Sequence, residues 1–219
     1  LPRTTNDLAK TNNFTNEAGI QGIRFLKNIM GMWIINQCKK HWELEGDMLT
    51  FKILEKKALL SKPYRCLIDP DAEVFNKREH MPQTIQNYCR DTGQEVPKSI
   101  GEITRCIYES LALKYKYVIE RLEETLGYKM HKILLIGGGT QSKMHNEFTA
   151  KITQKDVFKG HIEATVLGNS IVQMLANNDI KNIEEGQDLI YSHLEKIEGQ
   201  EFDINDYNAY DKFKKLVDK

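Results

Sequence analysis

Three consecutive glycines, Gly137, Gly138 and Gly139, follow the apolar run Lys132-Ile-Leu-Leu-Ile136 and precede Thr140-Gln141-Ser142. Backbone with no Cβ lets a ligand approach closely, and a helix start behind it presents unpaired N–H groups at the positive end of a dipole. That pairing suits a phosphate-bearing nucleotide. A Walker loop needs GxxxxGK[ST], and no lysine stands in that register. A dinucleotide fold needs GxGxxG and an acidic residue about twenty positions on. Here Ser142 replaces the third glycine, and a long, largely helical stretch precedes the turn, so a nicotinamide-dependent oxidoreductase has little support. Two further readings stay open on the residues alone. One is an α/β nucleotide domain in which this strand, turn and helix hold part of the nucleotide. The other is a tight strand-to-helix turn with no ligand.

The remaining chemistry-bearing residues are sparser. Asp69-Pro70-Asp71 places two carboxylates in a turn, where local capping of backbone N–H groups is their expected role rather than proton transfer. The six histidines form no HxH or HExxH, and none of the four cysteines (Cys38, Cys66, Cys89, Cys106) forms a CxxC, so zinc has little support. Cys38 and His41 could share a helix face, but two potential ligands do not make a metal site. Buried free thiols are the expectation in a chain of this length.

The elements that must hold these residues read as a helix-rich α/β pattern. Residues 1–22 are polar and Asn/Thr-rich, a loop with short strand pieces. Apolar Leu26, Ile29, Met30, Trp33 and Ile34 recur every three or four positions, which predicts a helix over about 23–42. Further helices are expected over 47–60 and 82–90. Ser99-Ile-Gly-Glu102 is a capping box opening the longest helix, 100–126, stopped by Gly127. The spacing then predicts a strand over 132–136, a helix to about 152, a strand over 156–159, and helices over 163–176, 182–194 and 206–217. Ala164 and Gly168 are expected to let the 163–176 helix pack closely on a neighbour.

Composition bounds the function classes. The 219 residues are 40% hydrophobic, enough for one sizeable core or two small ones. Lys plus Arg and Asp plus Glu balance at 31 each, with no strong charge block except the lysine-rich C-terminal end. Nucleic acid and anionic membranes are therefore poor partners. The apolar run Ile29 to Ile35 is too short to span a bilayer. Leu1 is not an initiator, and Leu1-Pro-Arg-Thr-Thr5 lacks the apolar core of a signal peptide. The expectation is a chain that starts inside a longer one.

Six segments in order carry a resemblance. They are Asn13-Phe-Thr-Asn-Glu-Ala-Gly19, Arg24-Phe-Leu-Lys-Asn-Ile-Met-Gly-Met-Trp33, Tyr64-Arg-Cys-Leu-Ile-Asp-Pro-Asp71, Ile107-Tyr-Glu-Ser-Leu-Ala-Leu-Lys-Tyr115, Ile136-Gly-Gly-Gly-Thr-Gln141 and Glu163-Ala-Thr-Val-Leu-Gly-Asn169. Together they resemble the rhamnulokinase branch of the FGGY carbohydrate kinases over about residues 10 to 175. The resemblance implies a ribonuclease-H-like, actin-like ATPase domain lacking its first strands. It divides the chain into 1–22, a loop and strand remnant of the second kinase domain, 23–178, the C-terminal nucleotide-binding domain, and 179–219, a helical extension. It implies a cytoplasmic kinase using ATP and Mg2+ on L-rhamnulose, or on another ketose or deoxy sugar such as fuculose or xylulose. The catalytic aspartate and most sugar contacts are expected upstream of Leu1, so no catalytic residue is assigned within the chain, and no phosphorylation is expected from it alone.

Residue by residue, the resemblance makes Gly138 the glycine whose backbone meets the nucleotide, with Gly137 and Gly139 beside it. Asn36 stands where relatives commonly have glutamine, and Ser142 where they often have asparagine. Both positions face ATP, and both are departures from the family pattern. Asn28 matches a position on the sugar side of the cleft. Cys89 and Cys106 match a pair that can be disulfide-linked in relatives.

Overall fold

The computed structural model describes residues 3–20, 22–77, 80–192 and 194–218. Leu1, on which the expected internal start rests, lies outside the described residues, as does His193 in the expected 182–194 helix. The chain forms two compact units, Leu1–Met130 with Phe202–Lys219, and His131–Glu201.

The first unit opens with a short helix, α1 (Asp7–Thr11), capped by Asn6, whose Oδ1 accepts the Ala9 N–H at 2.8 Å. An antiparallel hairpin follows, β1 (Thr15–Gly19) and β2 (Gly22–Leu26), in the register Thr15 to Leu26. This corrects the helix expected from residue 23: the helix α2 spans only Trp33–Leu44. Gly22 at φ 106° closes the hairpin turn, and the half-buried Ile23 and Phe25 alternate with exposed Arg24 as strand residues do. Phe25 packs on Phe14 with ring centroids 5.1 Å apart. Residues 27–32 form a loop, so the three-four spacing joined strand and loop residues to a helix that starts later.

Helices α3 (Phe51–Leu59) and α4 (Met81–Asp91) flank α5 (Ile100–Leu126). Thr50 caps α3, and the capping box of α5 forms as expected, with Gly127 at φ 77° ending it. α5 lies close to α3: a Cβ on Gly101 would fall 2.5 Å from the Lys57 carbonyl oxygen. The core between them is built on Ile34, Ile35, Leu54, Ile85, Ile107 and Leu111, all fully buried, each contributing roughly 1.5–3 kcal/mol of burial. Helix α9 (Ile204–Val217) returns to this unit. It buries Phe213 and is tied by Tyr64 Oη donating to Asp206 and Tyr210 Oη donating to Glu120.

A buried carboxylate sits behind that clasp. Glu109 accepts from Arg105 Nε at 2.7 Å and from the Tyr64 N–H at 2.8 Å. Burial pushes its carboxyl up to about 7 from an ordinary 4.5, with Arg105 opposing. A raised native value means that the folded state holds this proton more tightly. The associated stability is full below about pH 4.5 and is lost as pH rises through about 7. The full span is worth roughly 3 kcal/mol. Urea unfolding followed across that range should show stability falling as pH rises, and Glu109→Gln should flatten this slope.

In the second unit β3 (Lys132–Leu135) pairs parallel with β4 (Asp156–Lys159), with α6 (Lys143–Thr153) as the crossover. β5 (Glu195–Ile197) pairs antiparallel with β4, giving the order β3-β4-β5. The helix expected over 182–194 ends at Tyr191, and β5, which the spacing did not predict, begins just beyond that expected range. Its three residues carry no apolar alternation, and cross-strand ion pairs hold it instead, Lys196 to Asp156 at 2.6 Å and Lys159 to Glu195 at 3.5 Å. Helices α7 (Ala164–Ala176) and α8 (Ile183–Tyr191) pack together. The close approach is made by Gly186 of α8, where a Cβ would lie 2.7 Å from Ile171 Cγ2. Gly168 does not provide it: a Cβ there meets nothing within 4 Å among the described residues.

Candidate functional site

The glycine turn leaves the C-terminal end of β3, the position from which parallel strands of α/β sheets present ligands. Gly137 has φ 83° and ψ −171°, a backbone that L side chains rarely adopt, and its N–H donates to the His161 carbonyl at 3.0 Å. Gly138–Gln141 then form one 3-10 turn, closed by Thr140 N–H to Gly137 O and Ser142 N–H to Gly139 O, each 3.1 Å. Gly138 is exposed, and among the described residues a Cβ built on it meets nothing within 4 Å beyond its chain neighbours. Open space thus lies directly over the middle glycine.

Two residues that sequence reasoning passed over fix this turn. Thr140, buried, donates its hydroxyl to Gly137 O at 2.8 Å, and Asn146 of α6, also buried, donates its amide to Thr140 O at 2.9 Å. Asn146 lies on the inward face of α6 with Thr149 and Thr153, beside the apolar Met144, Ala150 and Ile152. Beside them His145 is buried, and burial holds its imidazole below the usual value, so no cation is added to the turn. Ser142 caps α6: its Oγ accepts the His145 N–H at 3.1 Å, and the side chain is buried.

The other candidate residues belong to the first unit. Asn36 is exposed on the first turn of α2, and Asn28 is exposed in the loop after β2. That loop is held at two points. Lys27 Nζ donates to Asn12 O at 2.6 Å, and the Met30 N–H donates to Asp71 Oδ1 at 2.7 Å. Asp69 caps locally as expected, accepting the Asp71 N–H at 3.1 Å. Both carboxylates also hold the buried Lys114, at 2.8 Å from Asp69 and 3.0 Å from Asp71.

All four cysteines are buried free thiols. Cys89 of α4 and Cys106 of α5 are joined by Cys66 from the loop after α3, and the three Sγ atoms lie within 4.8 Å of one another. Cys38 is separate from them; burial pushes its thiol up, and His41 on the same helix stacks on His80 instead. No helix among the described residues is long and apolar enough to cross a membrane.

The family model for the C-terminal domain of the FGGY family of carbohydrate kinases matches residues 4–177. Rhamnulokinase of Bacillus subtilis is 39% identical over 185 residues, 84% of this chain and 38% of its own length. Rhamnulokinase of Bacteroides thetaiotaomicron is 40% identical over 179 residues, 81% and 36% respectively. That of Ligilactobacillus salivarius is 39% identical over 196 residues, 89% and 38%. The chain therefore spans under two fifths of the length of these relatives. Among solved structures, glycerol kinase of Plasmodium falciparum with ADP superposes with a TM-score of 0.64 at 14% identity, over 95% of this chain and 42% of that one. Xylulose kinase of Bifidobacterium adolescentis gives 0.52 at 17% identity, over 96% and 40%. These two likenesses establish the fold, one shared with a portion of these sugar kinases.

Proposed function

The chain belongs to the FGGY family of carbohydrate kinases, and on that premise we propose that it is the ATP-binding C-terminal portion of a cytoplasmic L-rhamnulose kinase. The parent enzyme transfers the γ-phosphoryl group of ATP to L-rhamnulose, giving L-rhamnulose 1-phosphate and ADP in L-rhamnose breakdown. The observation that carries this reading is the open, Cβ-free space over Gly138 at the end of a parallel strand, in a chain so similar to curated rhamnulokinases.

Gly137, Gly138 and Gly139 form the wall against which the nucleotide lies, with backbone N–H groups as donors. Thr140 and Asn146 hold that wall. Asn36 offers an exposed amide to the nucleotide, one methylene shorter than the glutamine of relatives. Ser142 contributes by shaping the start of α6, since its hydroxyl oxygen is engaged in the cap. Asn28 faces the sugar. Phosphoryl transfer is mostly positioning and charge stabilisation. Bound Mg2+ supplies charge neutralisation on the phosphates. It is usually held through those phosphates with one or two carboxylates, and among the described residues no three Asp, Glu or His side chains converge to hold an ion. No metal ligand and no catalytic base is assigned within this chain.

Titration of the 219-residue protein with ADP, ATP and NADH tests the reading. Protein-detected NMR should show adenine nucleotides moving the Gly137–Gly139 amides, while NADH leaves them in place. Movement by NADH alone would replace the kinase reading with the oxidoreductase. The same preparation given ATP, Mg2+ and L-rhamnulose should form no sugar phosphate, and product formation would overturn the assignment of the base to another part of the enzyme.

A further inference from the structure

The three thiols gathered in the first unit are not among the residues proposed to meet the nucleotide. Cys66, Cys89 and Cys106 are 2%, 0% and 2% exposed, and they come from a loop and two different helices. Hydrogen bonding from Cys106 and then Cys66 holds the Cys89 thiol below its usual value. Three sulfurs converging from separate segments need a geometric explanation beyond packing, because any two would complete a hydrophobic contact or a disulfide.

Coordination chemistry narrows what a trio of sulfurs can take. Bonds to thiolate sulfur of about 2.3 Å seat three sulfurs roughly 3.5–4.0 Å apart around one centre. The present spacing of at most 4.8 Å is about an ångström from that by comparison. A structural zinc site takes four protein ligands, and no fourth His, Cys, Asp or Glu joins this group among the described residues. Charge selects further. Three thiolates around a divalent ion leave one net negative charge, and around a monovalent ion two. Burying either among Ile68, Phe75, Ile85 and Ile103 is costly. A soft trivalent centre leaves none.

We propose that Cys66, Cys89 and Cys106 form a three-thiol binding site for a trivalent arsenical of the arsenite class. The step balances without an oxidant. Arsenous acid exchanges three As–O bonds for three As–S bonds, each thiol proton leaves with a hydroxide as water, and arsenic remains trivalent. The product is neutral and ties the 60–72 segment, α4 and α5 together. Because the sulfurs are buried, capture waits on local opening, so its rate should level off as arsenite increases.

Mass spectrometry of the 219-residue protein, reduced with a phosphine and incubated with sodium arsenite, reads the outcome. The expected species has gained one arsenic and lost three hydrogens, and its thermal midpoint rises. Cys66→Ala, Cys89→Ala and Cys106→Ala each abolish that species, whereas Cys38→Ala keeps it. Should an alanine variant fail to fold, the wild-type mass still decides. An adduct retaining an As–OH group reports two thiols only and overturns the site. So does absence of any adduct, or a protein merely two hydrogens lighter, which is a disulfide.

Discussion

Lys114→Met is expected to lower stability by about 3 kcal/mol, near the lower end for breaking a buried pair because the two carboxylates left without their cation are only partly buried. Lys114 is 3% exposed on α5, and its ammonium lies 2.8 Å from Asp69 and 3.0 Å from Asp71. Methionine matches the length of the stem but supplies no charge, so two nearby carboxylates would repel across a partly buried site. Urea unfolding should register the loss as a lower midpoint at unchanged slope. Adding Asp71→Asn to Lys114→Met removes one of the opposed charges and should recover part of it. A double variant no more stable than the single one would show that the charges are not what Lys114 balances. The consequence extends beyond stability. Asp71 also accepts the Met30 N–H, which anchors the loop bearing Asn28, so the variant should loosen that loop. Faster amide exchange at Met30 would register it.

Much of this architecture was legible because local signals and tertiary packing agree. The capping box at Ser99 and Glu102, the stop at Gly127, and the strands over 132–135 and 156–159 are of that kind. The failures have a physical pattern. Ile23–Leu26 read as helix because Leu26, Ile29 and Met30 fall by chance at helical spacing, while the true organiser is a turn that ends at Gly22. Glu195–Ile197 was invisible because three residues carry no apolar alternation and their partner strand lies almost forty residues away. At the candidate site the glycines announced themselves, being unusual in sequence. Asn146 and Thr140 did not, since a buried amide gripping a carbonyl looks in sequence like any polar helix residue. Lys114 is the same case. A lysine on a long helix is ordinarily solvated, and only the folded chain brings Asp69 and Asp71 around it. The third thiol, Cys66, joined Cys89 and Cys106 for the same reason: a loop position carries no periodicity that could aim it.

Gly138→Val is expected to separate ligand binding from folding. Among the described residues, no atom other than those of Gly138 and its two chain neighbours lies within 4 Å of a Cβ at this position, and Gly138 is not among the residues with positive φ. Unfolding stability should therefore stay within about 0.5 kcal/mol of the parent. The space that the valine enters is where the nucleotide is proposed to lie. Overpacking there costs about 1–3 kcal/mol of binding, which is ~5–150-fold weaker ADP affinity. Gly137→Ala provides the contrast one residue away. With φ at 83°, a Cβ there strains the backbone by about 1–2 kcal/mol whether or not ligand is present. Its effect should appear first in the unfolding midpoint. If Gly138→Val binds ADP as tightly as the parent, the turn is only a structural link between β3 and α6. If instead the two neighbours divide as expected, one glycine is required by the chain and the next by its ligand.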